Sequence, residues 1–360
     1  MMNRVVDIVC SSIRSEVFGG ELPTQKFADL SAEQWRGVFG LAAQQGVLAI
    51  VYDVVVKLPA ELQPPRNLKL QWALSVDAIE NRYEMQRKTS SLLANLFAEN
   101  DLQTVVMKGL AMGTYYPNPT HRECGDLDCW LGDGYELGNQ LCEQLGAKVS
   151  REYYKDATIR YRGLLVENHR FFLPIRGSRK MKSLERHLRE VALRGEVSFV
   201  PDTKLIVPSA DFNALFLTMH GLNHFLSEGV KLRHILDWAL LLKAEQDRIN
   251  WAEFYEWADR MHMTRYANAM TAISVDCFGL EVHNPQIVAT SPYSARVLDD
   301  TLFKSEGLFN KNHSAWKKRI LLVHNKLSFG WKYHKIYQKS ILLELIRSVF
   351  AFLLEKNPKL

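Results

Sequence analysis

Two aspartates separated by one residue are the strongest chemical signal in this chain of 360 residues. Asp126, Leu127 and Asp128 alternate a carboxylate, an apolar side chain and a carboxylate. On a β-strand, residues two apart share a face, so the two carboxylates are predicted to lie side by side. Adjacent carboxylates repel unless a cation lies between them, and Mg²⁺ combines a few carboxylates with phosphate oxygens. The pair predicts a site for metal and phosphate, although about one Asp-x-Asp is expected by chance.

Basic residues precede this pair. Lys108 and Gly109 follow a short apolar run, and Arg122 lies four residues before Asp126. A lysine at a strand end offers a point charge to phosphate oxygens, and an arginine can bind phosphate through two parallel hydrogen bonds. Simpler interpretations stay open: Lys108 as a solvated strand end, and Arg122 in a salt bridge with Asp126 or Glu123.

A third carboxylate, Glu167, lies in a segment that is otherwise apolar, from Leu164 to Leu173. An acidic group in such a strand is costly unless it is paired or bound to a metal. His169 shares the face of Glu167 by the same two-residue rule. The alternative is an edge strand with Glu167 in water.

Four polar residues later in the chain repeat with helical spacing. His220 and His224 are four residues apart, as are Arg233 and Asp237 on the next predicted helix. They could face a cleft and bind nucleotide or acceptor, or form a buried network in which Asp237 holds Arg233 or a histidine. A zinc pair is a third interpretation, but no glutamate follows His220 to complete a zincin-like motif.

The elements that must position these residues form three segments. Helical periodicity covers residues 1–100, with a helix start at Ser31 and either one helix or two over 68–97. Residues 101–208 alternate strands and helices, and 209–360 are helical again. The predicted fold class is α+β, a small mixed β-sheet core flanked by N-terminal and C-terminal helical regions. The predicted strands cover 104–107, 126–131, 148–153, 158–161 and 164–173, and the predicted helices cover 135–145, 212–225 and 230–242.

Composition narrows the class of protein. Hydrophobic residues make up 47% of the chain, enough for a sizeable core, and the formal charge of +5 suits a small anionic substrate. Five cysteines without a Cys-x-x-Cys pair favour neither a disulfide framework nor a zinc ribbon. No signal-peptide core and no apolar stretch long enough to span a bilayer is visible, so a cytoplasmic location is expected.

The ordered set of motifs resembles the uncharacterised nucleotidyltransferase family of the DNA polymerase β-like superfamily, over roughly residues 35 to 245. Gly109-Leu110 stands where the superfamily usually has Gly-Ser or Gly-Gly. The motifs that carry the resemblance are Lys108-Gly109, Tyr116-Pro117-Asn118-Pro119, Arg122, Gly125-Asp126-Leu127-Asp128, Val166-Glu167-Asn168-His169, and the later block with His220, His224, Arg233 and Asp237-Trp238.

The resemblance implies a metal-dependent nucleotidyltransferase that moves a nucleoside monophosphate from an NTP, ATP among them, to a hydroxyl acceptor. Two Mg²⁺ ions would be bound by Asp126, Asp128 and Glu167, which are the implied catalytic residues. Lys108 and Arg122 would neutralise the β- and γ-phosphates. The residues implied in nucleotide binding are Lys108, Gly109, Arg122, His220, His224, Arg233 and Asp237.

Two other functions stay open. One is a non-catalytic nucleotide-binding relative, against which the carboxylates at all three positions argue. The other is an RNA-modifying transferase that uses the lysine-rich segment 304–339, where aromatic residues are interleaved. Such a segment is more often a solvated helical face, so nucleic acid is not the favoured partner. The acceptor is not identified by the sequence.

Overall fold

The computed structural model describes residues 3–176, 178–303 and 330–341. Most of the lysine-rich segment, residues 304–329, lies outside the described residues, so its interpretation as an RNA surface stays a prediction. No helix in the described ranges combines the length and apolar character that crossing a membrane requires.

Four helices form the N-terminal region: α1 (Arg4–Phe18), α2 (Ala32–Gln44), α3 (Leu48–Lys57) and α4 (Arg66–Ala98). The predicted start of α2 is confirmed, because Ser31 and Gln34 form a reciprocal capping box. The long run without Gly or Pro is one continuous helix, α4. Short 3₁₀ turns lie at Thr24–Phe27 and Ala60–Leu62.

A seven-stranded sheet follows, in the order β3-β4-β5-β2-β1-β7-β6. Strand β2 is central: it runs antiparallel to β1 and parallel to β5. The sheet is mixed, and the predicted α+β class with flanking helices is confirmed. Its strands are β1 (Thr104–Met107), β2 (Leu127–Trp130), β3 (Lys148–Ser150), β4 (Asp156–Tyr161), β5 (Leu164–His169), β6 (Ser198–Phe199) and β7 (Leu205–Val207). The helices within this segment are α5 (Gly109–Gly113), α6 (Tyr135–Gln144) and α7 (Arg179–Val191), with 3₁₀ turns at Pro119–His121 and Gly132–Gly134.

The predicted strand bounds need correction at five places. Strand β2 lacks both predicted end residues, Asp126 and Leu131, and β4 begins two residues earlier than predicted, at Asp156. The strands predicted over 148–153 and 164–173 end early, at Ser150 and His169. Helix α7 and strands β6 and β7 were not predicted. Strand β7 has only three residues, too few for a periodic pattern to be visible in the sequence, and two of them pair in parallel with β1.

The C-terminal region is helical as predicted. Its elements are α8 (Ala210–Ser227), α9 (Leu232–Glu245), α10 (Trp251–Met261), α11 (Thr264–Ile273), a π-helical turn (Ser274–Phe278), α12 (Ser294–Phe303) and a second π-helical turn (Lys332–Ile336). These elements share one hydrophobic core with the N-terminal helices. Phe18 at the end of α1 stacks on Phe278 with ring centroids 6.3 Å apart, and Arg14 donates to the carbonyl of Asp276 at 2.6 Å.

The sheet separates two cores. Leu127 and Cys129 of β2 pack into a smaller core with Leu93 and Phe97 of α4 and with α6. Because side chains alternate along a strand, Asp128 points to the opposite face of the sheet, on the side of α8. The division at residues 100 and 208 stays a prediction. All five cysteines are buried and free, as expected for reduced thiols.

Candidate active site

The pairing of the central strands places Asp128 between two other chemically active segments. In β1, Met107 pairs with Asp128, so Lys108 leaves the sheet beside it. In β5, Glu167 is the direct partner of Asp128 in a parallel ladder, and the two side chains share a face. Strand β5 lies between β4 and β2, so the alternative of Glu167 on an edge strand is wrong.

Both oxygens of the Asp128 carboxylate are bound. The Lys108 ammonium lies 2.8 Å from Oδ2, and Nε2 of His169 lies 2.9 Å from Oδ1. Only 5% of the Asp128 side chain is exposed, and burial alone would raise its pKa. The Lys108 charge and the His169 hydrogen bond outweigh burial and hold the pKa well below its usual value. Asp128 is therefore a buried, ionised acceptor.

The turn after β1 holds Lys108 in a rare backbone conformation. Lys108 has φ 53° and ψ −136°, and Gly109 has φ 35°. A positive φ is uncommon for a residue with a Cβ and tends to occur at functional sites. The turn directs the lysine toward Asp128, and its ammonium also lies 3.4 Å from Nε2 of His220. Its contact with phosphate stays a prediction.

Asp126 and Glu167 flank the central carboxylate differently. Asp126 is half-buried, and burial followed by the charge of Asp128 raises its pKa. About a third of the Glu167 side chain is exposed, at 32%, and its Oε2 lies 3.6 Å from Nε2 of His169. Burial and the nearby negative charge of Asp128 therefore both disfavour the ionised form of Asp126 in the absence of a cation.

A group of possible metal ligands surrounds Asp128. Within the described residues, ligand atoms of Asp128, Glu167 and His169 all lie within 4.8 Å of one another. Asp126, which the resemblance assigned to the metal, is not a member of this group. His169 was not predicted as a ligand, although its spacing of two from Glu167 placed it on the same face. The carboxylate and imidazole donors fit a divalent cation.

One open cavity of about 300 Å³ collects the residues that the sequence singled out. Their individual roles stay predictions, but the fold does bring them together from β1, β2, β5, α8 and α9. Those lining it are Lys108, Gly109, Arg122, Asp126, Asp128, Glu167, His220, His224, Arg233 and Asp237, with Glu123, Cys124, Gly125, Leu217, Gly221, His234, Trp238 and Met270 completing the wall.

Arg122 and Asp237 form a buried ion pair in this wall. Arg122 donates from Nε to Oδ1 at 3.0 Å and from Nη2 to Oδ2 at 2.8 Å. The hydroxyl of Tyr116 donates to Oδ1 at 2.7 Å. The expected partners were different: the interpretations that Asp237 holds Arg233 or a histidine, and that Arg122 pairs with Asp126 or Glu123, are wrong. Because 115 residues separate Arg122 from Asp237, sequence spacing could not reveal the pair.

Arg233 is less fully satisfied than Arg122. Its Nη1 donates to the Glu123 carbonyl at 2.6 Å, and its stem packs on Gly46. Among the residues that the structure describes, its Nε is a buried donor with no hydrogen-bond partner. A guanidinium with an unused donor beside a cavity is suited to binding an anion there.

Three histidine rings line the side of the cavity opposite the sheet. The His220 and His224 rings lie 4.3 Å apart, and His234, which was not predicted, stacks on His224 at 6.0 Å. Nδ1 of His234 accepts a hydrogen bond from the Lys231 backbone at 2.9 Å. Neither His220 nor His224 belongs to a three-member ligand group in the described ranges, so zinc binding by this pair has no support.

Burial keeps two of these rings neutral. Burial, and then the charge of Lys108, lowers the pKa of His220 well below its usual value. Burial, and then the charge of Arg233, does the same for the pKa of His234. Neutral imidazoles beside Lys108 and Arg233 leave the cavity wall rich in hydrogen-bond donors without adding charge.

The mixed sheet places carboxylates of adjacent strands beside a cavity lined by lysine and arginine. The chain belongs to the uncharacterised nucleotidyltransferase family, whose family model matches residues 31–279. This match confirms the family and the class of enzyme that the motifs indicated. No curated protein and no solved structure matches the chain.

Asp237→Asn is expected to destabilise the fold, because it leaves the Arg122 guanidinium buried without a counter-charge. The expected loss is about 3 kcal/mol in the free energy of unfolding, measured by urea denaturation. Tyr116→Phe is the matched control, since it removes one hydrogen bond to the same carboxylate and should cost about 1–2 kcal/mol. Equal losses in the two variants would show that the ion pair has no special weight.

The low pKa of His234 predicts a stability that falls in acid. The unfolded chain takes up a proton near an ordinary pKa of about 6.5, whereas the folded chain does not. Stability from this group is therefore complete above that pH and is lost below it, by about 1.4 kcal/mol per pH unit. His234→Asn keeps an acceptor for the Lys231 amide, so its unfolding free energy should fall less steeply with acid than that of the wild type. Parallel pH profiles would contradict the assignment.

Proposed function

We propose that this protein is a metal-dependent nucleotidyltransferase that moves a nucleoside monophosphate from an NTP to a hydroxyl acceptor. One observation carries the proposal. Asp128, ionised and buried, faces Glu167 on the next strand and Lys108 after the previous one, and all three line a cavity that also holds Arg233. Carboxylates and cations at one cavity wall are what a triphosphate with its metal requires.

Asp126, Asp128 and Glu167 are the residues that would hold the metal. Bound Mg²⁺, two ions in this proposal, supplies charge neutralisation at the phosphoryl oxygens and lowers the pKa of a bound hydroxyl. Asp126 and Glu167 line the cavity beside the ionised Asp128, so the three carboxylates offer oxygen ligands on one wall. Glu167, the most exposed ligand of the Asp128 group, is placed to accept a proton from the acceptor hydroxyl.

Of the three basic residues at the cavity, two are proposed to bind the triphosphate and one to position the site. Lys108 and Arg233 contact its oxygens, because the Lys108 ammonium borders the cavity and Arg233 retains an unused buried donor. Arg122 is a positioning residue instead, since Asp237 binds two of its guanidinium nitrogens. It contributes positive field and holds α9, with Arg233 and His234, against the loop before β2.

A second cavity, of about 280 Å³, adjoins the first. Both are lined by Lys108, Asp128, Glu167, His220 and His224, so the carboxylates and histidines form their common wall. The first cavity has Arg122 and Arg233 and suits the triphosphate. The second, which adds Tyr153, Asn223 and Pro174, is proposed as the acceptor compartment. In-line transfer needs the attacking and leaving oxygens on opposite sides of the phosphorus, so the acceptor requires space beside the triphosphate that is separate from it.

The decisive test compares Asp128→Asn with Asp133→Asn, the same chemical change at an exposed turn outside both cavities. Thermal stabilisation by each of the four NTPs with Mg²⁺ identifies the nucleotide, and transfer of its labelled α-phosphate measures activity. Asp128→Asn is expected to lose about 100-fold or more in transfer, because it removes a metal ligand and its charge. Asp133→Asn should behave as the wild type. If no NTP stabilises the wild type with metal, the proposal fails.

Lys108→Met is expected to shift two affinities in opposite directions. Without the lysine, the Asp128 carboxylate loses its counter-charge at 2.8 Å, so Mg²⁺ should bind about tenfold more tightly. The NTP, measured at saturating metal, should bind about tenfold more weakly because a phosphate contact is lost. Both affinities are measured by calorimetry. Lys108→Arg keeps the charge and should leave metal affinity unchanged; weaker metal binding in Lys108→Met would contradict the assignment.

A further inference from the structure

We infer that His169 is itself a metal ligand, so that the cation bound at Asp128 meets one imidazole nitrogen and two carboxylates, and that this donor set favours Mn²⁺ over Mg²⁺. This inference deepens the proposed function and rests on it for the presence of a metal. It adds a ligand to the three carboxylates that the sequence resemblance implied. It also means that the His169 side chain determines which metal the site prefers.

The positions of the three donors fit a single cation. Nε2 of His169 lies 2.9 Å from Asp128 Oδ1 and 3.6 Å from Glu167 Oε2. Bonds of about 2.0–2.2 Å at a right angle place neighbouring ligand atoms about 3 Å apart. These two separations are near that value, and all three ligand atoms lie within 4.8 Å of one another, so side-chain adjustment would bring them around one ion.

Strand register explains why this trio exists. Asp128 pairs directly with Glu167, and Trp130 pairs with His169, so the histidine is one step further along the same face of β5. The ring is 2% exposed, which leaves few alternative orientations. Asp126, by contrast, precedes the strand and is not part of this ligand group.

The second ring nitrogen is placed as in a ligating histidine. Nδ1 lies 3.2 Å from the carbonyl of Phe171, to which an Nδ1–H can donate. In the structure Nε2–H donates to the ionised Asp128 carboxylate, and a cation bound at Nε2 would displace this proton to solvent. The ring would then keep its proton on Nδ1, the tautomer that ligating histidines adopt. The Lys155 ammonium lies 3.4 Å from Nδ1, but it lies closer, at 3.0 Å, to Asp156. The neighbourhood of Nδ1 is therefore compatible with the tautomer that metal binding needs.

An imidazole in the donor set changes which metal is preferred. Mg²⁺ favours an all-oxygen octahedron and retains its waters, whereas imidazole nitrogen is a better ligand for the transition metals. Mn²⁺ accepts carboxylates as readily as Mg²⁺ does and lies at the weak end of the transition-metal series. One nitrogen among oxygens therefore predicts a preference for Mn²⁺ of about tenfold.

Pulsed electron paramagnetic resonance of Mn²⁺ added to the full-length protein tests the ligand directly. The wild type should show a hyperfine coupling to a directly bound nitrogen, and the coupling should change when histidine carries the heavier nitrogen isotope. The coupling should vanish in His169→Asp, which offers oxygen in place of nitrogen, and the Mn²⁺ preference measured by Mg²⁺ competition should fall toward parity. His220→Gln is the control, because His220 lines the same cavity but is outside the ligand group.

The outcomes separate the two proposals. If Mn²⁺ binds without a nitrogen coupling while NTP-dependent transfer is present, His169 only orients Asp128 and the inference is overturned, with the proposed function intact. A coupling that persists in His169→Asp but is lost in His220→Gln also overturns it. If neither Mn²⁺ nor Mg²⁺ binds the wild type, with or without NTP, both proposals fall. Circular dichroism of His169→Asp establishes that a lost coupling reflects the ligand and not unfolding.

Discussion

The site depends on the compensation of one buried charge. Asp128 stays ionised on the inner face of the sheet because Lys108 binds one of its oxygens and His169 binds the other. Lys108 directly follows β1 and His169 lies in β5, the two strands that pair with β2. The pairing of the strands therefore brings both partners to the Asp128 carboxylate. Burial alone would raise the pKa of this carboxyl, so Lys108 and His169 keep Asp128 charged until a cation takes their place. The positive φ of Lys108 and the position of β2 between β1 and β5 are the features that bring these partners to Asp128.

The helical region completes the site from the other side. Asp237 on α9 binds Arg122, which lies in the loop before β2, and Tyr116 joins the same carboxylate. This contact fixes α9 over the sheet and keeps Arg233 and His234 at the cavity. The site needs both regions. The sheet segment supplies Asp126, Asp128 and Glu167, and helices α8 and α9 supply most of the other polar residues of the cavity wall.

The spacing of residues along the sequence predicts part of the site, whereas contacts between distant segments could not be predicted from it. Alternation along a strand was enough to predict that Glu167 and His169 would share a face, and helical spacing was enough to pair His220 with His224. That Asp128 joins Glu167 on this face depends on the pairing of β2 with β5, which the sequence indicated only through the family resemblance. The Arg122–Asp237 pair depends on how α9 packs against the sheet, which no spacing encodes. His234 was missed because its position depends on the turn between α8 and α9, and β7 because three residues carry no period. Pairings remote in sequence are decided by packing of the whole chain.

The shared helical core has a consequence for what counts as one unit of this fold. The family match begins at residue 31 and ends at 279, yet the main core extends beyond both limits. Val9 and Ile13 of α1 and Val297 of α12 are buried in it alongside residues of α8 and α9. A chain trimmed to the matched region would expose the apolar surfaces that these helices cover. The region by which relatives are recognised is thus smaller than the region that must fold together, and segments outside the match are part of the scaffold that holds the site.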